Sequence, residues 1–398
     1  MQSPITISVI EFDYHAEVLI NTLEILKNIN NLKIQLFVSD NVWRQLKESI
    51  SPNDNINVYT ASSRNKIKPL INLHLPEINN SQAIFFNTIA SNFRLFCSIE
   101  FTAPVILRIH NANTYFNPIK SINPKLSLFY LWKDTSYIVL HVIFKLETIY
   151  RSRFVRQKVD FFQFPSEIIE KYAITHNYLK ADKLFPTIPY VFMKELLPKN
   201  KSEATINIAI LGGIDKRRRN YNEVYTAFLS LSKTIKKKVH LSLVGRPRGI
   251  YGKKVVKKFK KLENENLKVT TFNSFIPQSE FETITSNVDF LIIPTVREAR
   301  FKLYKELYGY TKISGNINDM IVYQKPAIVP SFYPLEDSLA KHTEAYKDET
   351  DLVNVLKKWI DEEKYKEHEF REIIYTYSFE TIVQRTQNGL KEIIKTGV

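Results

Sequence analysis

The chain has 398 residues, long for one domain and comfortable for two, each able to bury its own core. Its 26 Phe and 21 Tyr, within 44% apolar residues, exclude a disordered chain, and the single cysteine, Cys97, excludes an internal disulfide. A formal charge of +15, from 56 basic and 41 acidic residues, selects anionic partners (nucleic acid, acidic lipid or a phosphorylated small molecule) without choosing among them.

The opening MQSPITISVI lacks the basic head, long apolar run and cleavage site of a secretory signal, so the cytoplasm is the expected compartment. From there short β-rich runs alternate with helical stretches. Ile5 to Ile10, Lys33 to Val38, Ala83 to Phe86, Val105 to Ile109 and Asp160 to Phe164 are nearly continuous apolar strands, the pattern of a parallel sheet buried on both faces. Leu19, Leu23 and Leu26 recur at helical spacing between the first two, and Ser166 is placed to cap a helix after the last. Such repetition is the signature of a doubly wound α/β domain, here over residues 1–190.

Leu126 to Arg156 is apolar, aromatic and basic at once. Lys133, Asp134, Lys145 and Glu147 interrupt it, so it does not reach the ~18 uninterrupted apolar residues of a spanning helix. Two readings stay open: an in-plane helix resting on an acidic membrane, and a core helix with an exposed basic end. Pro186, Pro189, Pro198 and the run from Lys199 to Thr205 then break periodicity as a linker does.

A second β-α series fills residues 205–377. Ile206 to Leu211 leads through Gly212 and Gly213 into Lys216 to Arg219, and the next helix aligns Val224, Ala227, Phe228, Leu231 and Ile235. Val239 to Gly245, Leu267 to Phe272, Asp289 to Ile293 and Ala327 to Val329 supply further strands. Ligands of such sheets sit beyond the carboxyl ends of the strands. There fall the arginine loop after the first strand, Arg246 to Arg248 after the second, and the helix start Ser314, Gly315, Asn316 with Asp319 one turn inside. Two basic loops and a helix N-terminus make a diphosphate cradle. The lysine runs elsewhere come without zinc-type spacing or RNA-binding aromatics, so nucleic acid is not the expected partner.

The succession LGGIDKRRRNY, SLVGRPRG, Phe275 to Pro277, Pro294 to Glu298, and DMIVYQKPAI resembles the donor-binding domain of GT-B glycosyltransferases. The likeness is to the large retaining family (glycosyltransferase group 1, family 4-like) that includes bacterial lipopolysaccharide and capsule enzymes. It covers roughly residues 205–345, with the first half more loosely similar to the acceptor domain. The resemblance implies two tandem Rossmann-like domains facing a cleft, with a last helix, 378–395, crossing back to the first domain. It implies that Gly213, Arg218, Arg219, Arg246, Ser314, Gly315 and Asn316 hold the donor diphosphate, Asp319 the ribose and Glu298 the sugar.

Departures exist. Twenty residues lie between Glu298 and Asp319, so the chain carries an insertion before its second acid; a Glu298 and Glu306 pair keeps the family spacing but lacks the helix and Pro-strand that should follow. The Gly-rich loop after the first strand is absent, and His15 stands there instead, with His110 at the end of a later strand. Both histidines join Glu298 as candidate catalytic groups, His15 as base if the reaction inverts.

The expected activity is hexosyl-type transfer from a nucleotide diphospho-sugar, a substrate and not a cofactor, to a lipid-linked or oligosaccharide acceptor in cell-surface polysaccharide synthesis. No metal is expected, since arginines and amides would carry the leaving-group charge and no Asp-x-Asp pair occurs. The expected site is the cytoplasm, with the inner membrane face for a peripheral protein. The alternatives are a glycerophosphate or polyol-phosphate transferase, a sugar epimerase on the same fold, and a non-catalytic basic scaffold.

Overall fold

A strand without a polar break is stable only where both its faces are covered, and such strands form the centre of both sheets in the computed structural model. The structure describes residues 5–51, 54–124, 128–195, 204–368 and 370–396; the linker run from Lys199 to Glu203 and the start of the aromatic-basic stretch at Leu126 lie outside them. The chain divides into two units. The first comprises Met1–Val191, Arg300–Glu306 and Phe379–Val398, and the second Phe192–Ala299 and Leu307–Ser378.

In the first unit, β1 (Ile5–Glu11), β2 (Leu32–Ser39), β3 (Ile56–Ala61), β4 (Ala83–Thr88), β5 (Val105–Arg108), β6 (Phe161–Gln163) and β7 (Leu184–Phe185) form one sheet. Its order is β3-β2-β1-β4-β5-β6-β7, with every pairing parallel. All six residues of β4 are buried. The helix Ala16–Lys27 turns Leu19, Leu23, Ile25 and Leu26 onto the sheet, each worth about 1.5–3 kcal/mol when fully buried. Ser166 caps the helix Glu167–Thr175 by accepting from Ile168 N. Helix Phe379–Thr396 belongs to this unit, where Gly389 lies close against Pro186 and the Arg385 guanidinium donates to Thr187 O.

In the second unit, β8 (Thr205–Leu211), β9 (Lys238–Val244), β10 (Leu267–Thr271), β11 (Phe290–Ile292), and beyond the hairpin described below β14 (Ala327–Pro330) and β15 (Thr343–Tyr346), form a six-stranded parallel sheet in the order β10-β9-β8-β11-β14-β15. Its core takes the aligned face Val224, Ala227, Phe228, Leu231 from one helix and Leu352, Leu356 and Trp359 from the helix Glu349–Asp361. Both sheets therefore share one winding, in which the chain starts at the centre, runs to one edge, returns and fills the other. The point of return lies between β1 and β4 in one unit and between β8 and β11 in the other.

The insertion before Asp319 is a two-stranded hairpin, β12 (Glu298–Phe301) and β13 (Tyr304–Leu307), which turns at Lys302 in the left-handed region (φ 53°). Its residues Arg300–Glu306 are part of the first unit. Asn123 N donates to Leu303 O at 2.9 Å and Lys305 N to Ser121 O at 2.8 Å, so the hairpin extends that unit's own backbone pairing. Among the described residues, no helix is long and apolar enough to cross a membrane.

Candidate functional site

The return point of the second sheet gathers three loops and one helix start. The loop after β8 turns at Gly212 (φ 82°), the loop after β9 crosses it at Gly245, and the two are pinned by Ile214 N donating to Arg246 O (3.0 Å) and Arg248 N to Ile214 O (3.1 Å). A side chain on Gly245 is impossible without movement, because its Cβ would stand 2.2 Å from Gly212 O. The loop after β11 joins through Asn220 N to Pro294 O (2.7 Å) and Val296 N to Arg218 O (3.2 Å).

Arg219 and Asn316 lock this assembly from beneath. The buried Arg219 guanidinium donates through Nε (3.1 Å) and Nη2 (2.8 Å) to Asn316 Oδ1, and through Nη1 to Gly213 O (3.0 Å). The Asn316 amide in turn donates to Leu211 O (3.0 Å) and Asp319 Oδ2 (3.2 Å), which uses both its hydrogens. Burial pushes the Asp319 carboxyl up to about 6, against the pull of the Asn316 amide and the Arg219 charge. In the loop after β8 Asp215 folds onto Arg217, whose guanidinium and backbone N–H hold it down at about 2.

Above this base the structure presents donors. The helix Gly315–Tyr323 begins at Ser314, whose N–H goes to Tyr333 Oη (3.0 Å), while the N–H groups of Gly213, Gly315 and Asn316 have no acceptor among the described residues. Gly315 has open space where a Cβ would lie. Arg218 and Arg246 extend exposed side chains from the neighbouring loops, and Arg248 lies over Gly213, with Nε 3.3 Å from where its Cβ would be. The structure thus brings Gly213, Arg218, Arg219, Arg246, Ser314, Gly315, Asn316 and Asp319 to one edge. Arg219 and the Asn316 side chain are buried as scaffold; Arg218 and Arg246 are exposed.

Glu298 stands exposed at the start of β12. Glu306, the acid with the family spacing, is fully buried in the first unit and accepts from Thr114 N (2.8 Å), Thr114 Oγ1 (2.6 Å) and Asn113 N (3.3 Å), at the start of the helix Ala112–Phe116.

The two histidines meet in the first unit. His15, in the left-handed region at φ 78°, stacks on His110 with ring centres 4.3 Å apart and planes within 6°. His110 Nε2 lies 2.8 Å from Asn87 O, which can only accept, so that nitrogen carries a hydrogen. Beneath them is a buried network that sequence reasoning missed. Glu11 accepts from Asp13 N, Tyr14 N and the Asn87 amide, and burial pushes its carboxyl up to about 8. Arg108, equally buried, donates to Thr22 Oγ1 and Asn87 Oδ1. The only sequence signal was charge at the ends of apolar strands.

No protein-family model matches the chain, and no curated protein matches it in sequence. Solved structures do match in fold. HepE of Anabaena in complex with UDP superposes with a TM-score of 0.61 over 98% of this chain and 100% of its own, at 12% identity. A glycosyltransferase of Rickettsia africae gives 0.63 over 99% and 100%, also at 12%. The lipopolysaccharide outer core galactosyltransferase WaaB in its apo form gives 0.60 over 98% and 99%, at 10%. These neighbours are GT-B glycosyltransferases, and the chain has their fold, two Rossmann-like α/β units in tandem.

Proposed function

We propose that this GT-B chain is a glycosyltransferase that moves a sugar from a nucleotide diphospho-sugar to a lipid-linked or oligosaccharide acceptor. The observation that carries the reading is the return point of the second sheet, where N–H groups of Gly213, Gly315 and Asn316 without an acceptor among the described residues sit among the exposed side chains of Arg218 and Arg246. Such a concentration of donors is matched to a diphosphate. UDP-bound HepE, among others of the same fold, supports the nucleotide part of the reading.

In this scheme the bond between the anomeric carbon and the diphosphate oxygen breaks, and charge grows on that oxygen while the acceptor oxygen bonds to the carbon. The acceptor's proton passes to the leaving diphosphate if configuration is retained, or to His15 if it is inverted. Arg218, Arg246 and the three N–H groups stabilise the growing charge. Each preorganised donor of this kind contributes about 2.7–4 kcal/mol where it has been removed by mutation. Arg219 acts one layer down, fixing Asn316 and the Gly213 carbonyl so that the N–H groups need no rearrangement as charge develops. Asp319 takes a ribose hydroxyl, Glu298 a sugar hydroxyl, and the His15 and His110 pair belongs to the acceptor side. With this set of cations the leaving group requires no metal.

A panel of UDP-, GDP-, CDP- and dTDP-sugars tests the proposal, read by thermal shift and by release of nucleoside diphosphate with a chelator present. One donor should raise the melting temperature and be consumed. If none stabilises the protein the proposal fails, and strict dependence on added Mg²⁺ or Mn²⁺ removes its metal-free part.

A further inference from the structure

The first unit carries an exposed apolar surface outside the groups named in the proposed reaction. Trp132, Leu140, Ile143, Phe144, Leu146 and Ile149 are all exposed, Trp132 at 82% and Phe144 at 74%. Scattered apolar residues are ordinary on a protein surface, but these come from one run of chain. That run is the helix Leu128–Tyr137, a wider π-helical stretch Ile138–Phe144 and the helix Glu147–Gln157.

The ridge is held in place from below. The buried Glu147 carboxylate accepts from Tyr137 Oη (2.9 Å), His141 Nδ1 (2.8 Å) and Arg151 Nη2 (2.7 Å), and Lys302 Nζ stands 3.4 Å away. Leu146 is in the left-handed region at φ 49°, which a bulky residue adopts only where its surroundings impose it. Phe144, Lys145 and Leu146 are all exposed at this reversal.

Against Phe144 opens a groove of about 740 Å³, lined by Arg64, Lys68, Arg94, Lys145 and Asn92. Its acidic wall residue, Glu147, is already bonded to Arg151 and Lys302, so the groove is positive overall. A free anion has no use for the apolar ridge, and an apolar partner has none for four cations. A bilayer containing anionic lipid uses both.

We infer that this face docks on an acidic phospholipid bilayer, with the ridge from Trp132 to Ile149 entering the headgroup boundary and the groove of Arg64, Lys68, Arg94 and Lys145 receiving a lipid phosphodiester. The inference stands apart from the reading of the second unit, and either can fail without the other.

Flotation of the full chain with vesicles tests it. Binding is expected to vesicles of phosphatidylcholine with phosphatidylglycerol, and not to phosphatidylcholine alone. Trp132→Ser with Phe144→Ser should abolish flotation while circular dichroism is unchanged, because both side chains are already in water. Neutralising Arg64, Arg94 and Lys145 to Gln should weaken binding about fivefold per cation removed. Equal flotation with both vesicle types, wild-type flotation by either variant, or soluble glycerophosphoglycerol binding without any flotation would each overturn it.

Discussion

Asp319→Asn separates a residue kept for a ligand from one kept for the fold. The free carboxyl has a pKa of 3.8, and burial in the second unit raises it to about 6. The folded protein therefore binds a proton more readily than the unfolded chain, so stability is highest in acid and is lost as pH rises from about 4 through 6. The shift corresponds to about 3 kcal/mol above pH 6, the cost of holding the carboxylate ionised beside Asn316. Asparagine carries no such cost and keeps an oxygen for the Asn316 amide. The variant should be more stable than the parent at neutral pH, with an advantage that grows by about 2 kcal/mol between pH 4.5 and pH 7.5. Urea denaturation at the two pH values measures this, and calorimetry with nucleoside diphosphate measures the loss of ribose binding on the same samples. A variant that is destabilised, or whose difference from the parent does not change with pH, refutes the reasoning.

Gly245→Ala must push the Gly212 carbonyl aside; a loss of about 1–3 kcal/mol in thermal unfolding and of nucleotide binding is expected. Arg219→Ala leaves buried acceptors on Asn316 and Gly213 without donors, costing about 1–3 kcal/mol, and should lower affinity although its side chain faces inward; denaturation and calorimetry read the two effects. Glu11→Gln should gain on the parent by about 2–3 kcal/mol between pH 6 and pH 9, since a carboxyl raised from 4.5 to about 8 favours folding in acid and opposes it as pH rises through 8; urea curves at both pH values check it.

The sequence was legible where local pattern and tertiary role coincide. β1, β4 and β8 read directly as strands because they lie at sheet centres, apolar nearly throughout. β3 and β15 were missed, since an edge strand covers only part of its surface and INVYTA and TEAY carry no continuous apolar run. β12 and β13 were missed too. EARF and YKEL mix charge with apolar residues, and besides pairing with each other they are held by long-range pairs such as Asp134 with Arg300 and Thr114 with Glu306.

The site divides in the same way. The helix start at Ser314 to Asn316 is a local capping pattern and was visible. The lock of Arg219 on Asn316 spans 97 residues, so adjacent arginines in sequence gave no sign that Arg219 turns in while Arg218 turns out. His15 and His110 were each placed at a strand end, but their stacking depends on β1 and β5 lying either side of β4.

In the proposed scheme the return point of the second sheet binds a nucleotide diphosphate through the exposed Arg218 and Arg246. Calorimetric titration of UDP, GDP, CDP and dTDP into the parent and into Arg218→Ala with Arg246→Ala tests it most directly. One nucleotide should bind the parent at a single site, and the double variant should bind it at least about 100-fold more weakly, as expected for two lost charge-assisted hydrogen bonds. No binding to the parent, or the same affinity in the double variant, would contradict it.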